Sequence, residues 1–227
     1  MPLTLYGAIL SPFVRKVRIV LAEHSIAHEH VPVPPFQQPD WYRDISPLGR
    51  IPAIRDGELN LADSAVIAQY LEDTYGQTSL YGNDPQQAAQ VRWLEKYADY
   101  ELAPWATFAV FRNRIVKPVV GQHCDETQVR EALDERLPPL FDYLEGLLNG
   151  RRYFVGERLT LADIAVTCQL INLAHAGELI DELRWPNLSS LLSQVSARST
   201  VSALLPAEHQ LVGKMKEKAS GSLTQPQ

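Results

Sequence analysis

Two serines stand where helices are expected to begin, and each lies beside residues able to hold an anion. Ser11 precedes Pro12, and proline suits the first position of a helix. Ser64 follows Asp63 at the start of a second helical segment. The free N–H groups and the dipole of a helix N-terminus favour a bound anion. A plain helix cap explains either serine equally well, so these residues alone leave both interpretations open.

Three cations, Arg15, Lys16 and Arg18, follow Ser11 within two helical turns. Positive charge near a helix N-terminus opposes the dipole, and each exposed cation there costs a few tenths of a kcal/mol. Two interpretations are possible. The cations form a solvated face, or Arg15 or Arg18 turns inward and adds positive potential for an anion near Ser11.

The bulk composition limits the class of protein. The chain has 227 residues, of which 45% are hydrophobic, enough for one large or two small domains. A net charge of -6 gives no long-range attraction to nucleic acid or to an anionic membrane. Cys124 and Cys168 have no metal-ligand spacing and form no disulfide framework. We expect no metal and a reducing compartment.

Targeting and membrane patterns are also missing from the sequence. No secretory signal pattern opens the chain, and no run approaches the roughly 18 apolar residues that a membrane span needs. We therefore expect a cytoplasmic protein that binds neither nucleic acid nor a membrane.

The N-terminal residues predict strand-helix-strand, a loop, and then two strands and a helix. Residues 3–7 and 28–33 form the first two strands, and Asp56-Gly57 signals a hairpin between the last two. A strand-helix-strand unit makes a right-handed crossover. The simplest assembly is a four-stranded mixed sheet with helices packed against it.

The rest of the chain predicts helices. Apolar residues three or four apart from Val91 to Ala109 mark one face of a long helix, in which Pro104 predicts a kink or break. A second long helix contains Pro138-Pro139, where we expect a bend rather than a stop. Two further apolar helices follow.

These elements divide the chain into two domains. Residues 1–77 form a small α/β domain, and residues 86–212 form an all-helical domain after a polar linker. Residues 213–227 are polar and rich in Gly, Ser and Gln, so we expect a disordered tail.

Four short motifs, in order and with the expected elements between them, resemble the cytosolic glutathione S-transferase family. They are Ser11-Pro12-Phe13, Arg50-Ile51-Pro52-Ala53, Ala62-Asp63-Ser64 and Leu159-Thr160-Leu161-Ala162-Asp163. The resemblance covers roughly residues 1 to 210 and is greatest to the serine-type classes, such as theta, tau, phi and zeta. It implies a thioredoxin-like N-terminal domain, an all-α helical-bundle C-terminal domain and a homodimer.

The resemblance implies a detoxifying glutathione transferase whose catalytic residue is Ser11. A thiol has a pKa of about 8.5, and lowering it by two units takes about 2.7 kcal/mol. A hydrogen bond to a charged group contributes roughly 1.5–3 kcal/mol and a helix N-terminus about 0.3–1 kcal/mol. A hydrogen bond from Ser11 can therefore stabilise the thiolate of glutathione. Tyr6 is the competing donor.

The same resemblance assigns the parts of glutathione to two further motifs. Ser64 would hold the α-carboxylate of the γ-glutamyl group, and Asp63 would pair with its α-ammonium. Ile51, before a cis Pro52, would present its backbone N–H and C=O to the cysteinyl part, as an added strand does.

Four more residues are expected near glutathione. Phe13 belongs to the Ser11 motif. Gln37 and Gln38 match positions that hold the glycyl carboxylate, where a neutral amide would bind less strongly than His or Lys. Arg50 either assists or is a surface charge.

The second substrate, a small hydrophobic electrophile, is expected between the domains, where clefts form. The candidate wall residues are Leu10, Phe108, Phe111 and Arg112. Peroxide reduction, isomerisation or halide displacement would use the same thiolate. Thr160 and Asp163 form a capping box that we interpret as structural.

Two other functional classes stay open. The protein could keep this architecture as a non-catalytic ligand-binding or protein-interaction protein. A thiol-disulfide oxidoreductase is disfavoured because no cysteine follows the first strand.

Overall fold

The computed structural model describes residues 2–222 and contains a four-stranded mixed sheet in its N-terminal part. The strands are β1 (Leu3–Tyr6), β2 (His28–Val31), β3 (Ala53–Asp56) and β4 (Leu59–Ala62). Their spatial order is β2-β1-β3-β4, with β1 parallel to β2 and antiparallel to β3, and β3 antiparallel to β4. The predicted sheet is confirmed, and its topology is thioredoxin-like.

Two helices, α1 (Pro12–Glu23) and α2 (Ser64–Tyr75), pack against this sheet. Val14, Val17 and Leu21 of α1 are fully buried, because apolar residues at helical spacing form one continuous face. A second, smaller core cluster contains Tyr6, Val33, Tyr42, Ile45 and Ala53. Its residue Tyr42 lies in a short 3-10 helix, Asp40–Asp44, within the loop before β3.

The long helix α3 begins as Pro85–Tyr97 and continues through π-type turns to a last α-helical turn, Lys117–Val119. The π-type segments are Ala98–Leu102 and Pro104–Val116. The break that we allowed at Pro104 does not occur. Proline has no N–H to donate to the preceding turn. The hydrogen bonds of the π-type turns, which join residues five positions apart, occur both before and after Pro104.

The remaining helices complete a bundle. Helix α4 runs through Glu126–Glu131, a π-type turn Ala132–Arg136 and Leu137–Leu148, so it does not stop at the prolines, as predicted. After it come α5 (Leu161–His175), α6 (Pro186–Ser196), the single turn α7 (Ser199–Ser202) and α8 (Leu205–Ser222). Nearly every side chain of α5 is buried, which matches its apolar sequence on all faces.

The start of α5 confirms the predicted capping box. The Asp163 carboxylate accepts hydrogen bonds from the Thr160 N–H and hydroxyl, both at 2.8 Å. It also accepts one from the Phe154 N–H at 2.9 Å. Burial raises the pKa of Asp163 to about 6.

The expected disordered tail is wrong for residues 213–222, which belong to α8. Val212 is buried and Met215 packs against the main hydrophobic core. One face of the helix therefore contacts the core here, which the polar composition of the segment did not indicate. Residues 223–227 lie outside the described residues. No helix between residues 2 and 222 is long and apolar enough to cross a membrane.

Candidate active site

A cavity of about 690 Å³ lies between the sheet domain and helices α3 and α8. Seven of the nine residues predicted for glutathione line it: Ser11, Phe13, Arg50, Ile51, Pro52, Asp63 and Ser64. All four residues predicted for the second substrate also line it: Leu10, Phe108, Phe111 and Arg112. The tertiary structure therefore brings both predicted groups to one cavity.

Ser11 lies at the N-cap of α1, directly after the loop that follows β1. Its side-chain oxygen accepts a hydrogen bond from the Val14 N–H at 3.4 Å. A hydroxyl that accepts from the helix keeps its own proton free to donate. Ser11 is partly exposed and lines the cavity, so a ligand atom can receive that proton.

The peptide bond between Ile51 and Pro52 is cis, as expected. The chain entering it is fixed by two hydroxyl groups. Tyr42 and Ser46 both donate to the Arg50 carbonyl, at 2.8 Å and 2.9 Å, and the Ser46 oxygen accepts from the Arg50 N–H at 3.0 Å. This network fixes the backbone just before Ile51, which lines the cavity.

Asp63 caps α2, and its carboxylate accepts from the Ala65 and Val66 N–H groups at 2.9 Å and 3.3 Å. Its φ of 81° is unusual for a residue with a Cβ. Such strain costs of order 1–3 kcal/mol and is concentrated at ligand clamps. Asp63 is exposed, whereas Ser64 beside it is buried, and both line the cavity.

Gln37 and Gln38 are the two predicted residues that the structure does not place at the cavity. Gln37 is exposed with φ 53°, and the Gln38 amide donates to the Gly49 carbonyl at 2.7 Å. The chain turns at Gln37, whose φ lies in the left-handed region, and the preceding residue, Phe36, lines the cavity in place of the two glutamines. No local pattern in the sequence distinguished Phe36 from its polar neighbours.

Aromatic rings from both domains meet in the apolar wall. The rings of Phe13 and Phe108 stack with centroids 6.3 Å apart and an interplanar angle of 29°. Leu211 and Met215 of α8 also line the wall and were missed. Met215 lies in the segment that was expected to be disordered, and Leu211 lies in the predicted helical domain just before it. The wall therefore combines residues from α1, α3 and α8.

Tyr6, the competing hydroxyl, is buried away from the cavity lining. Its ring centroid lies 5.9 Å from that of Trp41 and 6.2 Å from that of Tyr42. Of the two candidate hydroxyl donors, Ser11 and Tyr6, only Ser11 lines the cavity.

Arg15 is completely buried rather than part of a solvated face. Its Nε donates to both oxygens of Glu208, at 3.0 Å and 2.9 Å, and Nη1 donates to the Cys168 carbonyl and to Asn172 Oδ1. Arg15 does turn inward, but toward α5 and α8, where Glu208 compensates its charge. Arg18 also faces Glu208, at 3.9 Å.

Lys16 is buried as well, with its ammonium 2.9 Å from Glu95 and 2.7 Å from Asp99 of α3. Burial by itself would lower the pKa of Lys16, but the two carboxylates outweigh it and raise the pKa. The solvated cationic face, one of the two interpretations left open, is therefore wrong for Arg15 and Lys16. Its two innermost cations join the sheet domain to the helical domain, because each has a carboxylate partner on a distant helix.

Comparison with known proteins agrees with this architecture. Family models described as the glutathione S-transferase N-terminal and C-terminal domains match residues 5–79 and 111–207. A glutathione S-transferase from Hyoscyamus muticus is 33% identical over 171 residues, which cover 72% of this chain and 79% of that protein.

Two further proteins are informative. FtsZ-localized protein A from Caulobacter vibrioides is 26% identical over 183 residues, covering 77% of this chain and 78% of that protein. The crystal structure of a glutathione S-transferase from Rhodospirillum rubrum gives a TM-score of 0.82 at 29% identity, covering 89% of this chain and 91% of that one. From the two matching domains and these similarities, the chain belongs to the cytosolic glutathione S-transferase family, in its serine-type branch.

Proposed function

We propose that this protein is a glutathione transferase that activates glutathione with Ser11 and joins it to an apolar electrophile. One observation carries the proposal. A single cavity is lined by Ser11, Ile51 and Ser64 of the sheet domain and by Phe108 of the helical domain.

Glutathione would bind along the sheet-domain side of this cavity. Ser64 and the N-terminus of α2 receive the γ-glutamyl carboxylate, and Asp63 pairs with the ammonium beside it. The backbone of Ile51 pairs with the cysteinyl part. This orientation directs the sulfur toward Ser11 at the start of α1. Arg50, which lines the cavity next to Ile51, adds a positive charge for the remaining carboxylate.

Ser11 acts as a hydrogen-bond donor and does not remove the thiol proton, because a serine alkoxide is inaccessible at neutral pH. The proton of the thiol is released to solvent. The sulfur anion then attacks the electrophile and forms a carbon–sulfur bond. Either a leaving group departs with the electrons of its bond, or the π electrons of an activated double bond move onto the activating group and the product takes a proton from solvent. The hydroxyl and the helix N-terminus together contribute about 2–4 kcal/mol of thiolate stabilisation.

The second substrate would contact the wall of Leu10, Phe108 and Phe111. This apolar surface favours electrophiles with an aromatic or aliphatic body. Peroxide reduction, isomerisation and halide displacement would use the same thiolate and differ only in the second substrate.

The substitution Ser11→Ala tests this proposal. We expect the pKa of glutathione bound to the variant, measured by ultraviolet titration of the thiolate, to rise by about one to two units. Glutathione affinity should stay within about tenfold of the wild-type value. Tyr6→Phe is the matched control, since it also removes one hydroxyl, and should leave the pKa unchanged. An unchanged pKa in Ser11→Ala would reject Ser11 as the donor.

A non-catalytic binding protein is the second candidate function. The similarity to a protein named FtsZ-localized protein A favours it, because that name describes a location and no reaction. Retention on immobilised glutathione together with conjugating activity supports the enzyme. A protein that passes through the column and conjugates nothing would instead support the binding protein.

The proposal also includes a homodimer that acts in cytoplasmic detoxification. Helices α2 and α3 carry the exposed apolar or aromatic side chains Val66, Trp93 and Tyr100, and we assign the contact with the second copy to these two helices. Light scattering at micromolar concentration measures the molecular mass directly, and a mass of one chain would contradict the dimer.

A further inference from the structure

Arg112 carries a charge that no carboxylate in the described part of the chain neutralises. The ion pairs formed among residues 2–222 do not include it. Arg114, two residues further along α3, contacts both Glu126 and Glu178. The two arginines differ in their ion pairs because they differ in position: Arg112 lines the cavity, and Arg114 does not.

The cavity as a whole has excess positive charge, although the chain has a net charge of -6. Arg50, Lys96 and Arg112 line it, and within residues 2–222 none of the three forms an ion pair. Two carboxylates also line it. They are Asp63 and Asp99, and Asp99 shares the single Lys16 charge with Glu95, so three cations line the cavity against two carboxylates. A ligand of negative charge would therefore complete the site.

The geometry of Arg112 leaves its strongest donors available. Its guanidinium carbon lies 5.1 Å from the centroid of the Phe36 ring. Among residues 2–222 no hydrogen bond uses the N–H donors of Arg112, which lie along the edge of its guanidinium. The edge can bind both oxygens of a carboxylate at once.

The neighbourhood of Arg112 points to the second substrate rather than to glutathione. Phe111, Val116, Leu211 and Met215 line the same wall and offer no charge to a ligand. A low local dielectric strengthens an ion pair formed there. Glutathione has other partners for its two carboxylates in the site proposed above, namely Ser64 and Arg50.

We propose that Arg112 determines specificity by binding a carboxylate on the second substrate. The substrate class is then an aromatic or aliphatic electrophile that bears an acid group away from its reacting atom. This inference rests on the proposed function, because it assigns the second substrate of that reaction.

The chemical test uses 4-chloro-3,5-dinitrobenzoate and its methyl ester, two substrates that differ mainly in charge. Glutathione sulfur forms a bond to the ring carbon that bears chlorine, and chloride leaves with the electron pair of the broken bond. The carboxylate takes no part in the bond changes. Each kcat/KM is divided by the uncatalysed rate constant with glutathione, which removes the difference in ring activation.

The variants are Arg112→Gln, which removes the charge, and Arg112→Lys, which keeps it. We expect the wild type to prefer the acid over the ester by about tenfold or more, and Arg112→Gln to lose that preference. Arg112→Lys should retain part of it. Arg130→Gln is the matched control, because Arg130 is an exposed cation on α4 outside the cavity lining, and its preference should equal that of the wild type.

A binding measurement separates this inference from the proposed function. The glutathione conjugates of the acid and of the ester, prepared chemically, are titrated into the protein in a calorimeter. Tighter binding of the acid conjugate that is lost in Arg112→Gln supports the inference even if neither substrate is turned over, an outcome that would reject the catalytic proposal alone. Failure of the wild type to bind either conjugate overturns both proposals.

Two results would overturn the inference and leave the proposed function intact. One is turnover of both substrates with an acid preference that is the same in Arg112→Gln and the wild type. The other is a loss of affinity for glutathione itself in Arg112→Gln with that preference unchanged, which would assign Arg112 to glutathione.

Discussion

Arg15 of α1 and Glu208 of α8 form an ion pair with no exposed side-chain surface, which joins the first helix of the chain to the last. The pair is part of a larger network, since His175 contacts the same carboxylate at 3.0 Å. Helix α8 also supplies Leu211 and Met215 to the cavity wall. The Arg15–Glu208 pair therefore connects the packing of the two domains to the shape of the site.

We expect Glu208→Gln to lower the free energy of unfolding by about 3 kcal/mol or more. Removing one charge of a buried pair leaves the other uncompensated in the interior. Urea unfolding followed by circular dichroism measures the change. Glu217→Gln, an exposed position on the same helix, is the control and should shift stability by less than about 0.5 kcal/mol. Equal changes in the free energy of unfolding for the two substitutions would show that the buried charge of Arg15 does not need Glu208 as its partner.

The contribution of His175 to stability should fall as the pH drops from 7.5 to 5.5, because His175 is buried, whereas the raised pKa of Asp163, about 6, acts in the opposite direction. Burial is the largest cause of the lowered pKa of His175, the Arg15 charge lowers it further, and the Glu208 contact acts in the opposite direction. His209 is the remaining titratable group that faces it. Below pH about 6.5 the unfolded chain binds a proton more readily than the folded protein, so the loss is at most about 1.4 kcal/mol per pH unit and ends once His175 is protonated in the folded protein.

Urea midpoints at pH 7.5, 6.5 and 5.5 measure this dependence. His175→Gln should flatten the decline, whereas His123→Gln, at an exposed position, should leave it unchanged. The lowered pKa of Glu208 acts at more acidic pH: burial raises it, but His175 and Arg15 lower it overall. A lowered carboxyl pKa adds stability that is lost only below pH about 4.3, outside the measured range. An identical slope in His175→Gln and wild type would contradict the assignment.

Asp63→Asn separates helix capping from glutathione binding. Asparagine is as good an N-cap as aspartate and tolerates positive φ, so the melting temperature should change little. Loss of the charge should weaken glutathione binding by about tenfold, since hydrogen bonds to charged groups contribute about 1.5–3 kcal/mol. Calorimetric titration and thermal unfolding measure the two effects. Lower stability with unchanged affinity would leave Asp63 as a cap only.

Local chemistry in the sequence was sufficient for the order of elements, and 11 of the 13 residues predicted for the two substrates line one cavity. Ser11-Pro12 and Asp63-Ser64 start helices because caps act within one turn. The hairpin predicted at Asp56-Gly57 forms one position later, because Asp56 pairs with Leu59 and the two loop residues are Gly57 and Glu58. The cis bond at Pro52 followed from the family motif. These signals act over a few residues, so they can be interpreted from the sequence without knowing which distant residues pack against them.

The sequence did not predict contacts that depend on distant residues. The carboxylate of Glu208 lies 193 positions from Arg15, so nothing near Arg15 distinguished a buried cation from a solvated one. The tail of α8 has polar composition, and only packing against the core makes it helical. A left-handed turn at Gln37 likewise replaced the predicted glutamines by Phe36 at the cavity.

The sequence by itself determined that the chain forms a thioredoxin-like sheet followed by a helical bundle, with a hydroxyl at the first helix start. Only the tertiary structure decided which charges are buried in pairs and which cations, Arg112 among them, face the cavity without a carboxylate partner among residues 2–222. The physical reason is that hydrophobic periodicity and helix caps are local properties. The environment of a charge is set by whichever distant groups the fold brings beside it.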